Sequence, residues 1–284
     1  MMKMNKRDLI AIGRSSIDLY SQDIGAPFKE ISGFNAFVGG SPLNISVGCS
    51  RLGLKSTLLT AIGKDKVGEF ILNFLNKEKV NTEFIPTKLS ARSSAVLLGI
   101  EPPDKFPLVF YRDNAADTLI DIDDVNNANI ANHKVLLVNG TALNKEPSRS
   151  ATIHAVEIAK KNSVTVVMDL DFRADQWEDY RSFGRIIRSI IPKVDIAIGT
   201  EEEVLASMLK DSSQVTIKHQ QISSPEIKGD LNKSIEGLIK LGTGILIVKR
   251  GKDGASYFDK NLKRKDIEGY PVKILNVLGA GDAF

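Results

Sequence analysis

The feature that most constrains the fold is a regular alternation of short apolar runs and longer amphipathic stretches between residues 135 and 249. The apolar runs have the length of buried strands, and the stretches between them have the length of helices. Strands are predicted at 135–138, 164–169, 194–198 and 244–249, and helices at 148–161, 181–191, 201–209 and 231–241. This alternation is typical of a doubly wound α/β fold, in which a mostly parallel sheet carries helices on both faces.

The N-terminal part of the chain follows the same plan. Residues 8–13 form a short apolar run that ends in glycine, which fits a buried parallel strand. Pro42 suits the first turn of a following helix, and Gly53 suits its C-terminal cap. A second strand is predicted at 56–62, and Asp65 is placed to cap a helix with apolar residues on one face. These elements extend the α/β pattern toward the N-terminus.

Two segments, at about 15–38 and 91–116, break this rhythm. They contain extended apolar stretches without helical periodicity, and the second includes a proline-rich turn at 101–107. We therefore expect them to form one small β-sheet off the main domain, which acts as a lid that excludes water from a site. Because exposed strand edges attract partners, the lid is also a candidate surface for a homodimer.

The composition excludes several classes of function. The chain of 284 residues has 38 Lys and Arg against 35 Asp and Glu, and this net charge of +3 is too small to indicate nucleic acid or a membrane surface as partner. One cysteine, Cys49, cannot form an internal disulfide, which suits a reducing compartment. No apolar run reaches the length of a signal peptide core or a membrane span. We expect a cytoplasmic protein that acts on small molecules.

Polar clusters follow three predicted strands of the C-terminal half, at 169–173, 199–203 and 249–254. Asp18 follows the first strand in the same way. Because ligands of open α/β sheets bind outside the carboxyl ends of the strands, we expect these clusters to share one crevice. Each cluster is also typical of an ordinary solvated loop, and the glutamates at 201–203 equally suit the N-terminus of a helix.

Two glycine motifs, one near each end of the chain, give these clusters a chemical meaning. Residues 39–44 read Gly-Gly-Ser-Pro-Leu-Asn, in which the glycines permit close approach of a ligand and the asparagine projects from a first helical turn. Residues 276–284 read Asn-Val-Leu-Gly-Ala-Gly-Asp-Ala-Phe. The amides around Gly279 and Gly281 can form a nest for an anion, and Asp282 beside them can accept a proton from a hydroxyl. Taken alone, the first motif is weak evidence for a site, and the second is more typical of a plain turn with a helix-capping Asp.

In this order, the two motifs resemble the two signatures of the ribokinase-like (PfkB) family of carbohydrate kinases, and the resemblance covers essentially the whole chain. The stretches around Arg14 and Asp18, together with 51–56 and 106–117, are similar to the kinases of acid sugars within that family. The resemblance implies a ribokinase-like fold and transfer of a phosphoryl group to a sugar hydroxyl.

Two departures from the family pattern bear on these expectations. Asn276 and Val277 stand where the family usually has Asp-Thr, the place associated with a monovalent cation. The family also continues for several helices beyond the second signature. We therefore expect a single kinase domain, 1–284, that is truncated at its C-terminus, with the lid segments inserted in it.

The resemblance implies roles for particular residues. Catalysis is implied for Asp282 as general base, with an anion hole formed by Gly279, Ala280 and Gly281. Substrate binding is implied for Asp18, Gly39, Gly40 and Asn44 at the sugar hydroxyls, and for Arg112 and Arg173 at the carboxylate. Nucleotide binding is implied for Thr200, Lys249, Gly251 and Gly254, and contact with Mg²⁺ through water is implied for Glu203.

The sequence is thus interpreted as an ATP-dependent sugar-acid kinase that uses ATP and Mg²⁺, with K⁺ as a further candidate cofactor. Two alternatives stay open at this point. One is a kinase of the same family with a different sugar substrate. The other is a non-catalytic protein that binds a sugar or a nucleotide.

Overall fold

The computed structural model describes residues 6–102, 106–217, 225–272 and 279–284. The strands of these residues are β1 (Arg7–Ile12), β2 (Ser16–Ser21), β3 (Phe34–Gly39), β4 (Ser56–Leu59), β5 (Ile62–Gly63), β6 (Thr87–Lys88), β7 (Ser94–Leu98), β8 (Leu108–Tyr111), β9 (His133–Asn139), β10 (Thr165–Asp169), β11 (Ile196–Thr200), β12 (Val215–Thr216), β13 (Glu226–Ile227), β14 (Ile245–Lys249), β15 (Ala255–Asp259) and β16 (Arg264–Ile267). Their α-helices are α1 (Ser41–Arg51), α2 (Lys66–Lys77), α3 (Ile122–Asn127), α4 (Ser148–Lys161), α5 (Tyr180–Ile190), α6 (Glu201–Ser207), α7 (Leu231–Leu241) and α8 (Ala280–Ala283). None of these helices is long and apolar enough to cross a membrane.

The central sheet has eight strands in the order β4–β1–β9–β10–β11–β14–β15–β16. The strands from β4 to β14 run parallel, and β15 and β16 continue the sheet as an antiparallel edge. The mostly parallel α/β fold predicted from the alternation is therefore confirmed. The edge was not predicted, because an antiparallel strand follows its neighbour through a short turn and needs no helix that would mark it.

Helices cover both faces of the central sheet at β1. Ile10 and Ile12 face one side, where they join a core formed with α3 to α7. Leu9 and Ala11 face the other side and pack with α1 and α2. Since successive side chains of a strand point to opposite faces, this burial explains the uninterrupted apolar run of the first strand.

The small sheet expected at 15–38 and 91–116 is confirmed, and its strand order is β3–β2–β7–β8. Strands β2 and β7 pair in parallel, whereas the outer pairs are antiparallel. One face of this sheet, which includes Asp18, Val96 and Phe110, points toward a cavity of the main domain. The small sheet and the central sheet therefore lie on opposite sides of this cavity.

Three expectations about elements need correction. The strand predicted at 56–62 is two strands, because β4 ends at Leu59 and β5 pairs separately with β6. The segment 211–230, which is polar and was interpreted as a loop or short insertion, contains the antiparallel pair β12 and β13. Helix α3 was not predicted, since it is short and depends on a capping box in which Asp121 and Asp124 bond each other's backbone amides.

Candidate active site

A cavity of about 380 Å³ lies between the small sheet and the carboxyl ends of β10, β11 and β14. It is lined by Arg14, Asp18, Tyr20, Gly40, Ser41, Asn44, Val96, Leu98, Phe106, Leu108, Phe110, Asp169, Asp171, Arg173, Thr200, Glu203, Lys249, Gly251, Gly279, Gly281 and Asp282. The three polar clusters that the sequence placed at strand ends thus meet at one cavity, because parallel neighbours end at the same edge of a sheet.

Asp18 enters the cavity from the small sheet. The Ser16 hydroxyl donates to Asp18 Oδ1 over 2.6 Å, and Arg14 Nη1 donates to the same hydroxyl over 3.1 Å. Burial raises the pKa of Asp18, although Arg14 and the bond from Ser16 oppose the rise. A Cβ on Gly39 would lie 1.9 Å from Asp18 Oδ2, and one on Gly40 would lie 2.4 Å from the carbonyl of Arg14. The glycine pair therefore makes room for the carboxylate and for the loop that follows β1.

Asn44 lies on the first turns of α1 and contacts the other glycine motif. Its amide donates to Asp282 Oδ2 over 2.7 Å, between residues 238 positions apart in the chain. A side chain that sequence analysis assigned to a sugar hydroxyl therefore orients the candidate base in this structure. The bond fixes one carboxylate oxygen of Asp282 from the side of α1.

The described part of the second glycine motif, residues 279–284, forms a tight turn that opens α8. Gly279 has a φ of +73°, and the amides of Asp282 and Ala283 donate to its carbonyl over 3.1 and 2.9 Å. Gly279 and Gly281 line the cavity, whereas Ala280 is not among the lining residues. Asn276 and Val277 lie outside the described residues, so the monovalent-cation expectation attached to them stays a prediction.

Asp169, the last residue of β10, connects the start of α1 with the end of β14. Its Oδ2 accepts a bond from the Ser41 hydroxyl over 2.8 Å, and Lys249 Nζ lies 3.4 Å from its Oδ1. Burial raises the pKa of Asp169 to about 7, and Lys249 opposes the shift. Burial acts to lower the pKa of Lys249, but the combined attraction of Asp169, Glu203 and Asp171 outweighs it and raises this pKa, so the lysine is a cation.

Arg173 lines the cavity beside a second buried carboxylate. Its Nη2 lies 2.8 Å from Asp171 Oδ1, and Asp171 Oδ2 accepts bonds from Asn139 and Thr141. The Arg173 side chain keeps 23% of its surface exposed, so its guanidinium is held in place while it faces the cavity. This arrangement suits a planar anion such as a carboxylate.

Thr200 and Glu203 form a capping box at the start of α6. The Thr200 amide donates to Glu203 Oε2 over 2.8 Å, and the Glu203 amide donates to the Thr200 hydroxyl over 3.2 Å. Burial raises the pKa of Glu203, with Lys249 and Arg173 opposing the rise. In the part of the chain that the structure describes, no cluster of three or more His, Cys, Asp or Glu residues is arranged to hold a metal. A carboxylate at the edge of a phosphate site still fits Mg²⁺, which is usually held by one or two carboxylates, waters and the substrate phosphates.

Arg112 does not line this cavity, in contrast to its assignment to the substrate carboxylate. Its Nε and Nη2 lie 2.8 and 2.6 Å from Asp117 Oδ2, and its Nη1 donates to the Thr141 carbonyl and the Gln176 side chain. The arginine lines a second cavity of about 360 Å³, which shares Phe110 with the first. The structure therefore separates Arg112 from Arg173.

The two glycines expected in the nucleotide loop also differ. Gly251 has a φ of +56° and lines the cavity. Gly254 is not among the lining residues, and a Cβ there would lie 2.0 Å from the carbonyl of Ile267 at the end of β16. Gly254 is therefore required by close packing against the edge strand.

Sequence analysis gave no individual role to four further polar residues that line the cavity, although two of them belong to the predicted cluster 169–173. The four are Arg14, Ser41, Asp169 and Asp171. Arg14 follows the glycine that ends the first apolar run, and Asp169 ends another, so both stand where an α/β sheet places ligand-binding residues. Arg14 also lies over the Phe110 ring, with Cζ 5.1 Å from the ring centroid, which ties it to the small sheet.

Comparison with known proteins gives consistent matches over the whole chain. The family model described as "pfkB family carbohydrate kinase" matches residues 6–284. The 5-dehydro-2-deoxygluconokinase of Clostridium beijerinckii is 34% identical over 284 residues, which are 99% of this chain and 80% of that protein. The enzyme of the same name from Bacillus subtilis is 32% identical over 278 residues, 98% of this chain and 81% of that protein.

Solved structures agree with this result. An uncharacterized sugar kinase from Pyrococcus horikoshii in complex with ATP superposes with a TM-score of 0.78 at 26% identity, over 97% of this chain and 81% of that one. A fructokinase with bound ATP from Xylella fastidiosa has a TM-score of 0.81 over 98% of this chain and 79% of that one. At 20% identity, the second similarity concerns the fold alone.

Proposed function

This chain belongs to the pfkB family of carbohydrate kinases, and we propose that it transfers the γ-phosphoryl group of ATP to the primary hydroxyl of 5-dehydro-2-deoxy-D-gluconate. The observation that carries the proposal is that one cavity contains Asp282, the candidate base, together with the guanidinium groups of Arg14 and Arg173. The carboxylate of a sugar acid can accept paired, charge-assisted hydrogen bonds from a guanidinium group, whereas the hydroxyls of a neutral sugar accept only single, uncharged ones. We further propose that this reaction belongs to the cytoplasmic breakdown of myo-inositol, which is the setting that the resemblance of the sequence to acid-sugar kinases implies.

The substrate is held at two ends. Arg173 receives the carboxylate, and Arg14 takes the place in the cavity that sequence analysis gave to Arg112. Asp18 accepts a hydrogen bond from a sugar hydroxyl at the opposite side of the cavity. Two separated anchors orient the acceptor hydroxyl toward the γ-phosphate, and such positioning supplies much of the rate enhancement in phosphoryl transfer.

Asp282 acts as the general base. As the oxygen of the acceptor hydroxyl forms its bond to the γ-phosphorus, the hydroxyl proton passes to Asp282 and the bond from phosphorus to the bridging oxygen of ADP breaks. The hydrogen bond from Asn44 keeps the carboxylate aimed during this step. Mg²⁺, when bound with ATP near Glu203, neutralises phosphate charge.

The small sheet serves as the lid of this site. Its inner face presents Leu98, Leu108 and Phe110 to the cavity, beside Asp18 and Tyr20. Apolar side chains over a phosphoryl-transfer site exclude water, which otherwise competes with the sugar hydroxyl as acceptor.

The outer face of the lid supports association of two copies of this chain. Register pairs Leu97 with Val109 and Ala95 with Tyr111 on that face, and Val109 and Tyr111 are 41% and 61% exposed. Ile17 and Leu19 of β2 belong to the same face. A continuous apolar sheet face of this kind marks an interaction surface, so we infer a homodimer through the lids. Val109→Glu should convert the dimer to monomer in light scattering, and a wild-type chain that is monomeric would overturn the inference.

A substrate panel tests the kinase proposal. Release of ADP is measured with 5-dehydro-2-deoxygluconate, 2-keto-3-deoxygluconate, gluconate and fructose, and the phosphorylated product is identified by mass. The highest kcat/KM is expected for the first compound and the lowest for fructose, which has no carboxylate. A preference for 2-keto-3-deoxygluconate would indicate a 2-keto-3-deoxygluconate kinase. Binding without turnover would indicate a non-catalytic protein that binds the sugar or the nucleotide.

A further inference from the structure

We propose that Lys249 is a catalytic residue that contacts the transferring phosphoryl group and stabilises its negative charge, while Asp169 and Ser41 hold the ammonium group in position. The inference rests on the proposed kinase function and assigns the residue a role beyond membership of a nucleotide loop. Three observations carry it: the position of the ammonium group, the charge balance of the cavity and the geometry of its ion pair.

The ammonium group of Lys249 lies beside the turn that carries the base. A Cβ added to Gly281 would lie 3.4 Å from Lys249 Nζ, so Gly281 leaves the space next to the ammonium open. Lys249 is the last residue of β14 and pairs with Thr200 of β11 on one side and Ala255 of β15 on the other. A side chain on the interior strand of a sheet is positioned more rigidly than one on a loop.

The excess of negative charge in the cavity means that a bound triphosphate needs a cation near the turn at Gly281. Among the described residues, five carboxylates and three cations line the cavity. In the proposed function, Arg173 and Arg14 serve the carboxylate of the sugar acid; Asp171 holds the first, and Ser16 and Phe110 hold the second. Entry of a nucleotide triphosphate into a cavity that already has an excess of carboxylates demands a positive charge near the turn, and Lys249 is placed there.

The distance between Lys249 and Asp169 indicates that the carboxylate positions the ammonium group without binding it tightly. Its 3.4 Å separation from Asp169 Oδ1 is long for a charge-assisted hydrogen bond, and Asp169 Oδ2 is already bonded to Ser41. The side chains of Lys249 and Asp169 are only 12% and 10% exposed, so the attraction is weakly screened. The ammonium can therefore shift toward a phosphoryl oxygen without losing its neutralising partner.

The test compares Lys249→Met, which keeps the length of the side chain and removes its charge, with Lys249→Arg and with Lys265→Met. Lys265 is an exposed residue of β16 and serves as the matched control. We expect kcat of Lys249→Met to fall by about 10²–10³-fold, the loss typical of a removed transition-state contact, while KM for the sugar acid changes by less than about threefold. Lys249→Arg should recover part of kcat, and Lys265→Met should match the wild type. An unchanged kcat in Lys249→Met overturns the proposal.

A double variant separates this role from simple neutralisation of buried Asp169. If Lys249 only balances Asp169, the double change Lys249→Met with Asp169→Asn removes both charges and should restore kcat to the level of Asp169→Asn alone, which overturns the proposal. If Lys249 acts on the phosphoryl group, kcat of the double variant stays as low as that of Lys249→Met. The double variant leaves no unpaired charge at position 169, and its thermal transition, measured beside that of the wild type, shows whether it is folded.

A binding measurement gives a readout that a structural lysine would not move. ADP with aluminium fluoride and the sugar acid mimics the transferring phosphoryl group, and Lys249→Met should weaken its binding much more than the binding of ADP alone. Equal losses for both ligands contradict the proposal. Failure of the kinase function itself is distinguishable, because then the wild-type chain would transfer no phosphoryl group to any sugar acid in the panel.

Discussion

Two cavities share Phe110, and each is lined by an arginine that follows a predicted strand, Arg112 in one and Arg173 in the other. In the second cavity, Arg112 is 5% exposed and its guanidinium is engaged by Asp117, Thr141 and Gln176. In the first cavity, Arg173 pairs with Asp171 and keeps 23% of its side chain exposed toward open space. The difference teaches that a position after a strand does not decide the role of an arginine, because its protein partners and its exposure decide whether its charge serves the fold or a ligand.

The largest effect is expected in the first cavity, at Asp282. Asp282→Asn keeps the size and polarity of the side chain but cannot accept a proton, so kcat should fall by about 10²–10⁴-fold. KM for the sugar acid should change little, because proton transfer belongs to the transition state. Asp123→Asn, an exposed residue of α3, is the matched control. A near wild-type kcat with chemistry rate-limiting would require another base.

The second cavity should respond in stability. Asp117→Asn leaves the buried Arg112 without its counter-charge, and breaking a buried pair in this way costs about 3–5 kcal/mol in the free energy of unfolding. Urea denaturation of the wild type and of Asp117→Asn measures this loss in the free energy of unfolding. The double change Arg112→Met with Asp117→Leu should recover most of the loss, since no charge is then buried. A loss below about 1 kcal/mol for Asp117→Asn would show that the pair behaves like a surface ion pair.

The pH dependence of stability should originate in the first cavity. Burial raises the pKa of Asp169 from 3.8 to about 7. Between these values the unfolded chain has released a proton that the folded chain keeps, so the free energy of unfolding should fall as pH rises through this window. Asp169→Asn should lack this part of the slope. Denaturation curves at several pH values test it, and identical slopes for both proteins would contradict the assignment.

The smallest effect is expected from replacing each arginine by lysine, and it compares the two cavities directly. Arg173→Lys loses the planar fork that binds a carboxylate, so KM for the sugar acid should rise by about tenfold while KM for ATP stays within about twofold. Arg112→Lys should lower the thermal transition and leave the ratio of the two KM values unchanged. A selective rise in KM for the sugar acid in Arg112→Lys would return that arginine to the substrate site, as the sequence analysis expected.

Much of the fold could be predicted from local patterns. The predicted helices 148–161 and 231–241 coincide with α4 and α7, because amphipathic periodicity and helix signals are contained in the segment itself. Asp65 caps α2 as expected, accepting a bond from the Gly68 amide. The break between β4 and β5 and the pairing of β12 with β13 were not predicted, because strand partners lie elsewhere in the chain and leave little local signal.

The candidate site was likewise predicted only in part. Most residues named from the glycine motifs and strand ends line the cavity, because parallel strands bring their carboxyl ends to one edge of the sheet. Arg112, Gly39, Gly254 and Ala280 are not among the lining residues. Gly39 and Gly254 have a steric role instead. A side chain at Gly39 would collide with Asp18 Oδ2, and one at Gly254 would collide with the Ile267 carbonyl.

The sequence by itself determined the α/β class, the small second sheet and the family, because periodicity, glycine positions and motif order are properties of short segments. Only the tertiary structure decided how the charges pair. Asn44 reaches Asp282 across 238 positions and Lys249 reaches Asp169 across 80, whereas Arg112 turns to Asp117, only 5 positions away. The free energy of a buried charge depends on its distance from every partner and on its exposure to water, and both quantities exist only after the chain has folded.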